Sequence, residues 1–157
     1  MTTDPETMPD PEAQARADRQ VCGLVNGLAA QISDHIRRRA VTLGLTAPQA
    51  TALRELSAPM TMRELAERMS CEPSNATFVV DKLEKQQLIE RRPHPGDRRA
   101  KQLVLTPEGV ELRERLLALL GEGSPLAGLS QEEQGQLQRL LERAMARPAG
   151  AERPARG

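Results

Sequence analysis

The sequence predicts a mainly α-helical protein that carries one small β-hairpin. Three observations lead there. The 157 residues include no Trp or Tyr and a single Phe, Phe78, so Leu, Val, Ile, Ala and Met must build nearly the whole core, and such a core favours helices. Helix starts are marked at Thr46, Thr61, Thr106 and Ser130. One region alone has strand-like runs divided by turn residues, between Leu88 and Leu105.

Composition narrows the function classes. The chain has 22 basic and 22 acidic residues, so any electrostatic attraction to a polyanion must come from local clustering. Two cysteines, Cys22 and Cys71, form no disulfide framework and read as small buried hydrophobes in a reducing cytosol. No apolar run approaches the ~20 residues of a membrane span. The acidic, Pro-rich start MTTDPETMPDPE lacks the features of a signal peptide. A soluble, cytoplasmic protein without membrane contact is expected.

Residues 1–11 are expected to be a disordered arm. Helical periodicity then runs from about Glu12 to Arg39, with Val21, Leu24, Val25, Leu28, Ile32 and Ile36 in one stripe. Arg37, Arg38 and Arg39 sit where cations complement a helix dipole. Gly44 breaks this helix, and residues 12–45 form an N-terminal helical segment. Thr46-Ala-Pro-Gln49 has the form of a capping box: the Thr side chain takes an orphan amide and the Gln reaches back. It starts a helix through Ala50, Leu53 and Leu56 that stops near Ala58-Pro59. Thr61-Met-Arg-Glu64 and Ser130-Gln-Glu-Glu133 repeat the signal, and Thr106-Pro107 places Pro in a first turn. The last two helices are read as 107–120 and 131–146, joined by Gly121-Glu-Gly-Ser-Pro125. A disordered tail is expected over 148–157.

The central segment carries the functional reading. A helix from Met62 to Met69 presents Leu65, Ala66 and Met69 inward, and Ser70-Cys71 makes a break. Pro73 fits the first turn of a second helix whose inner residues are Ala76, Val79, Val80 and Leu83. Its other face carries Ser74, Asn75, Thr77, Phe78, Asp81, Lys82 and Lys85. This is a helix-turn-helix, whose second helix reads the major groove with its N-terminal residues. Asn can pair with adenine, and Ser and Thr hydroxyls can donate or accept. Taken alone, an ordinary polar surface helix explains these residues about as well.

The hairpin decides between the two readings. Leu88–Arg92 and Lys101–Leu105 flank a loop, Pro93–Arg99, longer than a tight hairpin needs. From Arg91 to Lys101 five basic residues face one acid, Asp97, for a local charge of +4. A loop tip carrying Arg can enter a minor groove. Asp97 is placed to hold the Arg99 guanidinium through a bidentate pair. The fold class is then a winged helix-turn-helix flanked by N- and C-terminal helices.

Residues 46–109 resemble the multiple-antibiotic-resistance regulator (MarR) family of winged helix-turn-helix transcription factors. The most specific match is LEKQQLIERRPHPGDRRAKQLVLTPEG, residues 83–109. The resemblance implies a homodimer with interleaved terminal helices on a pseudo-palindromic duplex-DNA operator, more often acting as a repressor. It divides the chain into a dimerisation helix at 12–45, a DNA-binding lobe at 46–106 and dimerisation helices at 107–147. It assigns DNA contact to Pro73, Ser74, Asn75 and Thr77 on the recognition helix, beside Phe78 and Lys82, and to Arg98 and Arg99 at the wing tip. It assigns wing orientation to Asp97. Phe78 departs from the basic or polar residue of many relatives; it touches a thymine methyl or packs on the wing, and packing is the preferred reading. Family members are often released by a small-molecule effector, a small anion or a phenolic compound.

Cys22 resembles in position the peroxide-sensing cysteine of the organic-hydroperoxide-resistance branch. That branch supports its cysteine with tyrosines, which this chain lacks, so a buried structural thiol is preferred over a redox sensor. The apolar stripes of the terminal helices exceed what a winged domain of about 60 residues can cover, which also points to a dimer. Two-fold symmetry would set the recognition helices one DNA turn, roughly 34 Å, apart or a multiple of that. No nucleophile–base pair, phosphate loop, metal motif or cofactor motif is recognisable, so no enzyme is expected. His35 and His94 have no zinc-type spacing; His35 is placed on the first helix's flank and His94 at solvent or phosphate. A winged helix used for protein contact would show a wing poor in arginine, and this wing is rich in it.

Overall fold

The computed structural model describes residues 10–146; the expected arm and tail lie outside them, except that Asp10 and Pro11 join the first helix. The chain divides into two compact units, one running to Ser124 and one beginning at Pro125.

Helix α1 (Pro11–Thr42) opens at Asp10, whose side chain accepts the Glu12 N–H at 3.1 Å. It ends at Gly44, whose φ of 69° suits a residue without Cβ. Only its C-terminal part enters the core, through His35, Ile36 and Ala40. His35 is buried rather than on the flank, with Nε2 at 2.9 Å from the Leu120 carbonyl. Arg37 and Arg38 are exposed as expected, whereas Arg39 is half-buried. Arg37 and Arg38 both pair with Asp34, and Arg39 donates to the Glu122 carbonyl at 2.7 Å. The Arg37 hydrogen bond is the largest influence holding the Asp34 carboxyl below its usual range.

Helix α2 (Ala47–Glu55) has the capping box expected at Thr46 and Gln49. Leu56 is its C-cap rather than part of it, yet stays buried. Arg113 closes this helix end by donating to the carbonyls of Leu53 and Arg54, at 3.0 and 3.1 Å. A two-residue strand follows, β1 (Met60–Thr61), too short for any periodicity to reveal. Helix α3 (Met62–Arg68) starts from the Thr61–Glu64 capping box. Then come α4 (Pro73–Lys85), β2 (Ile89–His94) and β3 (Asp97–Leu105). The sheet is antiparallel in the order β1-β3-β2, with Met60 opposite Leu103 and Ile89 opposite Leu105.

Helix α5 (Pro107–Gly121) begins at Thr106, whose hydroxyl accepts the Gly109 N–H. Leu53, Leu56, Leu65, Val80, Leu83, Ile89, Leu103 and Leu116 are fully buried together, so α2, α3, α4, α5 and the sheet share one core. This shared core is what holds α4 and the hairpin beside each other.

In the second unit, α6 (Gln131–Met145) starts from the expected Ser130–Glu133 capping box. The Gln134 amide donates to the Leu126 and Leu129 carbonyls. No residue of α6 is buried, and Leu140 and Met145 are exposed.

Candidate nucleic-acid interface

The helix pair forms because α3 stops where Ser70 turns left-handed, at φ 53°. The Cys71 N–H then returns to the Ala66 carbonyl at 3.1 Å. Ala66 is buried, so the small side chain admits the crossing helix. On α4 the expected inner set Ala76, Val79, Val80 and Leu83 is buried. Pro73, Ser74, Asn75, Thr77, Phe78 and Lys82 are all exposed.

Three details of α4 were not legible beforehand. The Thr77 hydroxyl donates to the Pro73 carbonyl at 2.9 Å, so its proton is committed to the helix and its oxygen is left to accept. Lys82 Nζ lies 4.4 Å from the centre of the Phe78 ring, a cation–π arrangement. The N-cap, Glu72, makes no side-chain hydrogen bond, whereas α1, α2, α3, α5 and α6 each start with a capped amide. Pro73 has no N–H to offer, and the Asn75 and Ala76 N–H groups both return to the Glu72 carbonyl.

The expected packing of Phe78 on the wing is not found. Its ring is 62% exposed and borders a cavity. That cavity, about 420 Å³, is walled by Ser33 and Ile36 of α1, Thr51 of α2, Met69, Cys71, and Asn75, Phe78 and Val79 of α4. Its lining holds no Asp, Glu, Lys, Arg or His. Asn75 and Phe78 thus belong to both the cavity wall and the outer face.

The hairpin also differs from expectation. The strands continue through most of the supposed loop, leaving Pro95-Gly96 as the turn. His94 faces Asp97, and a register irregularity at Pro93/His94 absorbs the prolines. His94 Nδ1 accepts the Gly96 N–H at 3.0 Å and closes the turn. Asp97 does not hold the Arg99 guanidinium; its Oδ1 accepts the Arg99 backbone N–H at 2.9 Å. A short carboxylate two residues back reaches its neighbour's amide more readily than the end of a long side chain. Successive strand residues face opposite ways, so Arg98 projects from one side of β3 and Arg99 from the other, with Lys101.

The basic cluster is divided in a way that counting could not show. Arg91 crosses from β2 to α4, pairing with Asp81 at 2.7 Å and also with Glu84. Arg92 pairs with Glu90 on its own strand. Arg98, Arg99 and Lys101 are exposed and make no ion pair among the described residues. Asp81 and Glu84 lie three apart on one flank of a helix that precedes the arginine, and that spacing is the signal that marks Arg91 as a tie.

Near the base of the wing the Thr61 backbone N–H, and then its hydroxyl, hold the Glu64 carboxyl below the usual carboxylate range. Arg68 and His94 add weaker positive fields. Cys22 is exposed in the single chain. Its part of α1 extends past the core, with Val21 and Leu24 exposed alongside it. Cys71 is half-buried at the cavity. Among the described residues no three His, Cys, Asp or Glu side chains cluster as a metal site, and no helix is long and apolar enough to cross a membrane.

Comparison with known proteins places this geometry. Residues 45–101 match the model of the MarR family. The chain is 39% identical over 77 residues to the HTH-type transcriptional repressor MdtR of Bacillus subtilis (strain 168), covering 48% of this chain and 50% of MdtR. It is 32% identical over 88 residues to the uncharacterized HTH-type transcriptional regulator YkoM of the same organism, covering 55% of this chain and 57% of YkoM. The chain therefore spans about half the length of the curated relatives it matches. In fold it is similar to a MarR mutant from E. coli complexed with operator DNA, with a TM-score of 0.64 at 23% identity, covering 81% of this chain and 94% of that one.

Proposed function

We infer, from the match of residues 45–101 to the MarR family model, that the chain is a transcriptional regulator of that family, not an enzyme, that binds a duplex-DNA operator as a homodimer. The observation that carries this reading is the pairing of two surfaces on one core. The hydrogen-bonding face of α4, with Ser74, Asn75 and Thr77, suits a major groove. The hairpin beside it offers the unpaired cations Arg98, Arg99 and Lys101 to a minor groove and its phosphates. Asp97 stiffens the wing tip through the Arg99 amide. In direction the regulator is a repressor, as its relative MdtR is named.

The homodimer reading is supported by apolar side chains without cover. Val21, Leu24, Val25 and Leu117 in the first unit, and Leu140 and Met145 in the second, are exposed. A second copy is the natural partner for helices with such stripes. The uncharged cavity behind Asn75 and Phe78 is the place for a small-molecule effector, and its lining suits an uncharged compound over an anion.

Selection of bound duplexes from a random pool tests the function. A palindromic consensus is expected. Affinity for it should fall ~10³–10⁵-fold between 50 and 200 mM salt if ~6–10 phosphates are engaged. Arg98→Ala with Arg99→Ala should weaken all sequences, whereas Asn75→Ala should change preference at one position by roughly 1–3 kcal/mol. Recovery of no consensus, or binding indifferent to salt, overturns the reading. One alternative is a thiol-sensing regulator of the same fold that uses Cys22, which is exposed in the single chain. Peroxide release that persists in Cys22→Ser eliminates it.

A further inference from the structure

We propose that Phe78 reads the 5-methyl group of thymine in the major groove, with Lys82 stacked on its ring to meet the adjoining phosphate. The inference rests on the DNA-binding reading above and names a base that the operator must present.

The argument begins with the direction of the ring. The buried residues Ala76, Val79, Val80 and Leu83 define the inward side of α4. At about 100° per residue, Ser74 and Phe78 both lie within about 30° of the outward direction, while Asn75 lies about 90° from it. Phe78 is therefore nearer the centre of the presented face than the asparagine that sequence alone singles out. It is also the sixth residue of the helix, within the N-terminal half that enters a groove.

The second observation is chemical. This is the chain's single aromatic side chain, and it stands 62% exposed among Ser74, Asn75, Thr77 and Lys82. A lone exposed hydrophobe needs no explanation in general. Here, however, a cation lies over the ring: Lys82 Nζ sits 4.4 Å from its centre. The lysine fixes which ring face is free and carries a cation one turn further along the helix. Thymine is the base that displays an apolar group in the major groove, and Phe is among the side chains that contact it. A ring centred on the reading face, with a phosphate-seeking cation at its edge, matches a thymine next to the backbone.

The test uses the full chain and a duplex obtained by selection. Each dT of the half-site is replaced in turn by dU, which removes the methyl and leaves the pairing edge unchanged. At one position of each half-site the wild-type chain should lose about fourfold in affinity, the worth of one methyl-sized group withdrawn from contact. Substitution in both half-sites should cost roughly fifteenfold. Phe78→Ala should bind dT and dU duplexes equally, and Phe78→Leu should keep part of the difference. If no dU replacement weakens the wild-type chain more than twofold, or if the effect survives in Phe78→Ala, the proposal is overturned. Either result leaves the DNA-binding reading standing, whereas failure to select any duplex refutes that reading itself. Phe78 lies outside the core, so its variants should retain the wild-type unfolding midpoint.

Discussion

Gly109→Ala is the substitution for which two physical effects oppose each other most clearly. Gly109 lies in the first turn of α5. In a helix, Ala is favoured over Gly by about 1 kcal/mol, so propensity alone predicts stabilisation. Geometry predicts the reverse. A Cβ on Gly109 would stand 2.0 Å from the Leu88 carbonyl oxygen and 3.0 Å from its carbon. The obstacle is backbone, and that carbonyl already accepts the Thr106 N–H at 3.1 Å. Relief requires α5 to move away from the start of β2 by more than an ångström, straining the Thr106 hydroxyl between Gly109 N–H at 3.0 Å and the Gln87 carbonyl at 2.7 Å. Overpacking costs about 1–3 kcal/mol and a weakened N-cap about 1 kcal/mol more. Set against the propensity gain, the net is about 1–3 kcal/mol of destabilisation. For a chain of this size that lowers Tm by roughly 2–12 °C. Circular dichroism melts at one protein concentration should show it, because association would otherwise shift the midpoint. Gly121→Ala, in the same helix with open space at its Cβ position, serves as the control and should change little. A Gly109→Ala protein as stable as wild type, or more so, refutes the close approach.

Arg91→Met should cost roughly 1 kcal/mol, since its ion pairs are partly exposed and screened; a double-mutant cycle against Asp81→Asn with Glu84→Gln should show positive coupling, and additivity would mean the tie between wing and recognition helix contributes nothing. Glu64 has a carboxyl held below its unfolded value, so its stabilising contribution is present above that value and is lost as pH falls through the ordinary carboxylate range and below. Glu64→Gln keeps the capping acceptor but not the titration, and its urea midpoint should decline less steeply with acid; equal slopes would contradict the assignment. Cys22 should react with a thiol reagent slowly at concentrations where chains pair and faster on dilution, and a rate independent of concentration would place the dimer contact elsewhere on the chain.

Features set by local chemistry were readable in the sequence, and features set by distant partners were not. The capping boxes at Thr46, Thr61 and Ser130 need only residues three apart, and all three form. The inner face of α4 follows from periodicity within one helix. β1 escaped because two residues carry no period, and its pairing with Leu103 and Gln102 depends on chain about 40 positions away. The two prolines suggest a longer wing loop than forms, because proline usually interrupts strand pairing. In the fold, Pro93 and His94 sit at an irregularity at the edge of the sheet, where a missing N–H is tolerated. His35 shows the same limit, since its burial depends on a carbonyl 85 residues away.

The exposed residues of the proposed site follow from periodicity, but their electrostatics do not. Counting charge from Arg91 to Lys101 treats every arginine as available, yet Arg91 is bound to two carboxylates of α4 and Arg92 to Glu90. This division has a consequence for binding. Asp81 and Glu84 lie on the helix that would enter a groove, where bare carboxylates would repel phosphates. Arg91 offsets them, and under the proposed function Arg98, Arg99 and Lys101 are the cations left for the nucleic acid. A formally neutral chain thus separates its charge by structure: some cations quiet the acids of the recognition helix while the others project from the wing. The sign that matters to DNA is then set by which side chains are already paired, a property that belongs to the packing of β2 on α4.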